Sequence, residues 1–182
     1  MKINDRGISV ILPVYNEVDN IELIVRSVIN FIPRIAEHYE VIVVNDGSID
    51  QTDSIIKRMS GTLSYLRTIC LSKNIGYGGA LLRGFRSAKY PLVFFMDADG
   101  QFLISDLSRF VPYAENFDII IGKRTIRNDP LYRVLMGKLY NFLICVLFQI
   151  NIKDITCGFK LIRKSVLNEL QLESVGGFLN AE

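Results

Sequence analysis

Leu92-Val93-Phe94-Phe95-Met96-Asp97-Ala98-Asp99-Gly100-Gln101 is the stretch whose reading decides the fold: five apolar residues break abruptly into two carboxylates one residue apart. A short run rich in Val and Phe suits a strand buried on both faces of a parallel sheet, and Gly100 then releases the chain into a loop. Asp97 and Asp99 are thereby predicted at the carboxyl end of that strand, where open α/β sheets bind ligands. Carboxylates this close repel each other, so the pair marks either a divalent cation with oxygen ligands or solvent-exposed surface. Direct succession to a buried strand favours the cation. Mg2+ and Mn2+ are usually held by one or two carboxylates plus substrate phosphates, so the stretch predicts a nucleotide or sugar-nucleotide site.

Working outward, residues 8–13 read as a first buried strand, ending in Val14-Tyr15-Asn16-Glu17; Asp19 or Asn20 is placed to cap a helix carrying Ile21, Ile24, Val25, Val28 and Ile32 at helical spacing. Residues 39–45 form a second strand ending in Asp46-Gly47-Ser48, followed by a helix over 50–59. A weaker strand over 63–71 leads to Asn74-Ile75-Gly76-Tyr77-Gly78-Gly79, which opens another helix. A helix over 105–113, a strand over 118–122 and a last helix over 163–170 complete the pattern. Strands alternating with helices at this pace imply an α/β fold with a mostly parallel sheet covered by helices on both faces.

With 182 residues, 49% of them hydrophobic and 22% charged, the chain suits one globular domain with a real core, and a net charge of +2 without a dense basic run argues against nucleic acid. Cys70, Cys145 and Cys157 lack metal or redox spacing and are expected as reduced, buried thiols, which places the chain in the cytoplasm. The first residues show no signal-peptide or anchor pattern, and the apolar run over 139–150 is shorter than the about 20 residues needed to cross a bilayer. Residues 131–150 are nevertheless strongly apolar and helical in period. Two readings stand for them: a helix packed inside the protein, or one lying at a membrane interface or against further chain, with Arg133 and Lys138 near its start.

Several predicted strand ends thus carry polar residues, namely Asn16-Glu17, Asp46, Asp97 with Asp99, and Lys123-Arg124. Asp46 has two readings, a cap for the following helix through Gly47-Ser48 or a hydrogen-bonding partner for a base or ribose. Residues 76–79 would bring a helix N-terminus near a phosphate. They are not a dinucleotide fingerprint, because Leu81 stands where a third glycine is needed, and a nicotinamide enzyme is disfavoured.

Val10-Ile11-Leu12-Pro13-Val14-Tyr15-Asn16-Glu17, Val44-Asn45-Asp46-Gly47-Ser48-x-Asp50-x-Thr52, Asn74-x-Gly76-x-Gly78-Gly79-Ala80 and Asp97-Ala98-Asp99-Gly100-Gln101 together resemble the ordered signature of family-2 glycosyltransferases with the GT-A fold. Gly122-Lys123-Arg124, Arg127-x-Asp129-Pro130 and Asp154-x-Thr156-Cys157-Gly158-Phe159-Lys160 resemble the branch of dolichol-phosphate mannosyltransferase and bacterial polyprenyl-phosphate sugar transferases. The resemblance covers nearly the whole chain. It implies that Pro13, Tyr15, Glu17 and Asp46 hold the base and ribose of a UDP- or GDP-sugar, with Gly76 and Gly79 allowing close backbone approach. Asp97, Ala98, Asp99 and Gln101 would then meet the diphosphate and Mg2+ or Mn2+. Arg124 and Arg133 would reach a phosphate, although Arg133 also fits a solvated position beside a helix. Asp154 would lie near the reacting centre or serve as a turn residue.

The implied activity is metal-dependent, inverting transfer of the sugar to a polyprenyl or dolichyl phosphate or similar membrane-associated acceptor, by a protein peripheral to the inner face of the membrane. An ionised phosphate nucleophile needs no strong base, whereas a hydroxyl would need a carboxylate such as Asp154. The branch continues beyond a carboxylate corresponding to Glu182 with elements that close over the donor, so residues 1–182 are expected to be one domain lacking them. Phe102 and Leu103 stand where the family tends to place polar residues and proline, which would alter the metal's surroundings. The rival expectation is a nucleotide-sugar binding module without turnover; a nucleotidyltransferase ranks third, since no early glycine-rich basic loop is present.

Overall fold

In the computed structural model the described residues are 3, 7–124, 131–170, 172, 176 and 179, with the side chains of Leu131 and Arg133 left aside. Six strands form one sheet: β1 (Ile8–Val14), β2 (Tyr39–Asn45), β3 (Leu66–Cys70), β4 (Leu92–Met96), β5 (Ile119–Ile121) and β6 (Phe159–Arg163). Their order is β3-β2-β1-β4-β6-β5. The pairs β1–β2, β1–β4 and β2–β3 are parallel, while β6 runs antiparallel to both β4 and β5. The carboxyl ends of β1, β2, β4 and β5 and the entry to β6 therefore lie along one edge.

Five helices accompany the sheet: α1 (Ile21–Phe31), α2 (Thr52–Ser60), α3 (Tyr77–Ser87), α4 (Leu131–Leu147) and α5 (Lys164–Glu169). Alternation along the strands explains the layers. Val10, Leu12, Val41, Val43, Phe94 and Leu161 face Ile24, Val25, Val28 and Ile56 of α1 and α2, whereas Ile11, Ile42, Val44, Val93 and Phe95 face Ala80, Leu81 and Phe85 of α3. β1, β2 and β4 are buried along their whole length, as expected of central strands covered on both faces.

The structure corrects several expectations. Residues 159–163, expected only as a motif leading into a helix, form β6 and make the sheet mixed. The helix expected over 105–113 is instead two short 3-10 segments, Ile104–Arg109 and Val111–Tyr113, with Pro112, which has no amide donor, in the first turn of the second. Cys157 is buried as expected, but Cys145 is only partly covered and Cys70, last residue of the edge strand β3, is exposed. Asn20 is the residue before α1, yet its side chain donates to Glu17 Oε2 at 2.9 Å instead of capping the helix.

α4 does not fit the packed reading. Leu135 (66%), Phe142 (62%) and Leu147 (73%) are exposed on it. Asn141 ties it to the following loop: its Nδ2 donates to the Ile152 carbonyl at 2.8 Å, and its Oδ1 accepts from Ile155 N–H at 2.9 Å. Among the described residues no helix is long and apolar enough to cross a membrane.

Candidate active site

The loops leaving β1 and β2 brace each other. Asn16 N–H donates to Ser48 Oγ at 3.0 Å, Asn16 Oδ1 accepts from Ile49 N–H at 2.9 Å, and Glu17 N–H donates to Thr52 Oγ1 at 2.9 Å. Asn16 adopts φ 56°, a left-handed conformation that Asn tolerates well. This bracing sets Tyr15 and Glu17 in the wall of a cleft of about 400 Å3 lined also by Pro13, Val14, Asp46, Asn74, Gly76, Tyr77, Ala80, Asp97, Ala98 and Asp99.

Asp46, buried at the end of β2, caps no helix through Gly47-Ser48. Its two oxygens accept from the amides of Ile75 at 2.8 Å and Gly76 at 3.0 Å. Gly76 has φ 90° and ψ 160°, a conformation open in practice to glycine alone, and the turn so formed starts α3 beside the cleft. Gly79, by contrast, does not line the cleft: a Cβ there would stand 2.8 Å from the side chain of Ile75, so its bareness serves packing.

Asp97 and Asp99 follow β4 into the cleft as the sequence predicts. Tyr77 O–H donates to Asp97 Oδ1 at 2.7 Å, and Asp97 N–H donates to the Gly158 carbonyl at 3.0 Å. Burial pushes the Asp97 carboxyl up to about 6; the Tyr77 hydrogen bond opposes this, and the charge of Asp99 adds to it. A half-buried carboxylate whose charge is so poorly compensated suits a cation. Asp99 is exposed, and its Oδ1 accepts from Gln101 N–H at 3.0 Å. Gln101 itself is exposed and lies outside the lining of the cleft, one residue beyond the Gly100 turn that follows Asp99.

The donor set fits Mg2+ or Mn2+ whose shell a phosphate completes. Among the described residues no group of three or more His, Cys, Asp or Glu side chains is arranged to hold an ion. Asp97 and Asp99 supply two carboxylates, the number these ions take from a protein when phosphate and water complete the shell.

Arg124 and Asp154 lie beyond the lining of the cleft and are joined to each other. Arg124 Nε donates to Asp154 Oδ2 and Arg124 Nη2 to Asp154 Oδ1, both at 2.9 Å, with a further bond from Nη2 to Thr156 Oγ1 at 2.8 Å. This bidentate pair ties the end of β5 to the entry of β6. It accounts for Asp154 better than a bare turn role, and it engages the guanidinium that was expected to reach a phosphate. Hydrogen bonding to Asp154 holds the Arg124 guanidinium even more firmly protonated, against the opposing effect of burial.

Arg133's side chain, Arg127, Asp129 and Glu182 lie outside what is described. Phe102 turns away from the cleft to pack on Phe159, ring centroids 5.4 Å apart, while Leu103 is exposed. Across β6, Lys160 faces a separate, mostly apolar cavity of about 250 Å3 bordered by Phe95, Ile121, Ile155 and Ile162, and burial lowers its amine to about 8. Sequence reasoning missed Tyr77 and Gly158 as neighbours of Asp97. The signal for Tyr77 was its place right after Gly76, in the first turn of a helix predicted to face phosphate.

Comparison with known proteins extends this picture. The model of "Glycosyl transferase family 2" matches residues 9–171. CsbB of Bacillus subtilis (strain 168) is 34% identical over 170 residues, covering 93% of this chain and 52% of that protein. The polyprenol monophosphomannose synthase of Mycolicibacterium smegmatis is 32% identical over 176 residues, covering 91% of this chain and 65% of its own length. The chain thus spans between about half and two thirds of these relatives. Among solved structures, glucosyl-3-phosphoglycerate synthase from Mycobacterium tuberculosis, in complex with Mn2+, uridine diphosphate and phosphoglyceric acid, superposes with a TM-score of 0.66 at 24% identity, covering 97% of this chain and 62% of that one.

Proposed function

The chain belongs to glycosyl transferase family 2, and from that premise we propose that its cleft binds a UDP- or GDP-sugar with Mg2+ or Mn2+ and that the protein transfers the sugar to a polyprenyl phosphate at a membrane surface. The observation that carries this reading is the meeting of Asp97 and Asp99 with Tyr15, Glu17, Asp46 and the start of α3 in one cleft at the carboxyl edge of the sheet. The complex of the M. tuberculosis synthase with Mn2+ and uridine diphosphate supports the donor class, and the name of the M. smegmatis relative supports the acceptor class.

Asp97 and Asp99 would hold the cation, which when bound supplies the positive charge that offsets a departing nucleoside diphosphate. Tyr15, 43% exposed, would offer a ring face to a base, and Glu17 and Asp46, which line the same cleft, would hold the nucleoside. Asp46 has a second duty: by holding the amides of Ile75 and Gly76 it keeps the α3 start against the cleft.

The Arg124–Asp154 pair supports a phosphate acceptor over a hydroxyl. A carboxylate whose oxygens are both engaged by a guanidinium is badly disposed to take a proton from a hydroxyl. A phosphate monoester is already ionised near neutral pH and needs no such base. Attack by that oxygen on the anomeric carbon, with the diphosphate leaving from the opposite side, inverts the centre in one displacement. α4, apolar and exposed, supports contact with the bilayer in which such a lipid resides.

The test is incubation of the protein with Mn2+, a panel of UDP- and GDP-sugars and a polyprenyl phosphate in detergent, followed by analysis of the lipid fraction. Sugar on the lipid is expected. Saturable donor binding without product would assign the chain to nucleotide-sugar binding alone, and no binding of any donor would refute the reading.

A further inference from the structure

Asp97 is held from two sides. Tyr77 O–H donates to Oδ1 on one side. On the other, the carboxylate lies so close to Gly158 that a Cβ there would stand 2.0 Å from Oδ2, 2.3 Å from Cγ and 2.4 Å from Oδ1. The backbone of 158 also accepts from Asp97 N–H, so strand pairing and side-chain contact fix the same residue. Tyr77 is itself anchored, since it follows directly the turn whose two amides are bound by Asp46. A continuous set of contacts thus runs from the end of β2, through the start of α3, to the end of β4.

We propose that Tyr77 is a positioning residue for the cation site: its hydroxyl fixes the rotation of the Asp97 carboxylate, and the absence of a side chain at Gly158 provides the room for that orientation. The proposal rests on the cleft being a metal-dependent diphosphate site. An ionised carboxylate has about four lone-pair directions, and the phenol takes one, leaving the others aimed by the clamp. Metal sites depend on such supporting partners, whose loss typically weakens affinity about 10- to 100-fold. Because the phenol hydroxyl bonds Asp97 while Asp46 holds the turn through backbone amides, removing the hydroxyl acts first on the Asp97 carboxylate and leaves the Asp46-held turn in place.

Tyr77→Phe keeps the ring and removes the hydroxyl. Mn2+ is titrated into wild type and variant with saturating UDP or GDP, free Mn2+ being followed by electron paramagnetic resonance, and the affinity of the same nucleotide is measured separately in chelator. Work at about pH 8 keeps Asp97 ionised, so a protonation change does not mimic the effect. The variant is expected to bind Mn2+ about tenfold more weakly, with metal-free nucleotide affinity falling by clearly less and a cooperative thermal transition retained. Gly158→Ala, which displaces the carboxylate from the other side, is expected to weaken Mn2+ in the same selective way and serves if Tyr77→Phe fails to fold. Unchanged Mn2+ affinity in both variants, with metal-dependent binding intact in wild type, overturns the positioning role and leaves the proposed function standing. An equal loss of metal-bound and metal-free affinity also overturns it, as general damage. Absence of metal-dependent binding in wild type refutes the cleft assignment and the inference together.

Discussion

Asp97→Asn should stabilise the ligand-free protein while disabling its cleft. In the folded chain burial raises the Asp97 carboxyl from 3.8 to about 6. At 1.36 kcal/mol per pKa unit, keeping that group ionised costs the native state about 3 kcal/mol near neutral pH. The sign follows from proton binding: between about pH 4 and pH 6 the folded state holds more protons than the unfolded one, so this group makes stability fall as pH rises through that window. An asparagine at 97 carries no charge and its amide oxygen still accepts from Tyr77. Allowing for imperfect replacement of the second oxygen beside Gly158, the net gain is about 1–2 kcal/mol, or roughly 2–8 °C in melting temperature for a chain of this size. Thermal unfolding followed by circular dichroism at about pH 7.5 and about pH 4.5 checks it, because at the lower pH the wild-type penalty shrinks to about 1 kcal/mol. A variant no more stable than wild type at about pH 7.5, or one whose gain is the same at both pH values, would refute the reasoning.

Other expectations concern the frame around the site. Glu40, buried on β2, accepts from Ser9 Oγ at 2.7 Å and Lys89 N–H at 2.6 Å and pairs with Arg67; burial works to raise its carboxyl, but these bonds prevail and lower it. Glu40→Gln should cost about 1–3 kcal/mol in urea unfolding above about pH 5. Because the folded value is depressed, that difference should fade as pH drops through it, and a deficit constant with pH would contradict the assignment. Gly76→Ala, at φ 90°, should cost about 1–3 kcal/mol and weaken nucleotide binding by shifting the amides that face Asp46; calorimetry showing neither loss would remove the need for glycine there. For α4, the wild type should float with anionic vesicles, and Phe142→Asp with Val146→Asp, both exposed positions, should leave the melting temperature in place while returning the protein to the soluble fraction. Wild-type protein that stays with the soluble fraction would argue against membrane contact.

What the sequence disclosed follows from where its signals are local. The buried run 92–96 turning at once into Asp97 and Asp99 predicts both a central strand and its functional end, and Ile8–Val14 and Tyr39–Asn45 show the same succession. β6 was hidden because Lys160 and Arg163 break up its apolar run, and its burial depends on partners far along the chain. The Arg124–Asp154 pair spans 30 residues and the Tyr77–Asp97 bond spans 20, so neither leaves a periodic trace. Residues 131–147 gave the helix correctly, yet hydrophobicity alone does not distinguish a packed helix from an exposed one. Gly79 and Gly76 looked alike in sequence; only the positive φ of Gly76 and the contact of residue 79 with Ile75 separate a cleft glycine from a packing glycine.

The central claim is that Asp97 and Asp99 hold a divalent cation against the diphosphate of a bound nucleotide. Phosphorus magnetic resonance of UDP or GDP mixed with the protein and substoichiometric Mn2+ tests it most directly, since a paramagnetic ion broadens the nuclei beside it. The account predicts protein-dependent broadening of both phosphorus signals that disappears in the double variant Asp97→Asn with Asp99→Asn. Broadening that is equal in wild type and double variant would contradict it.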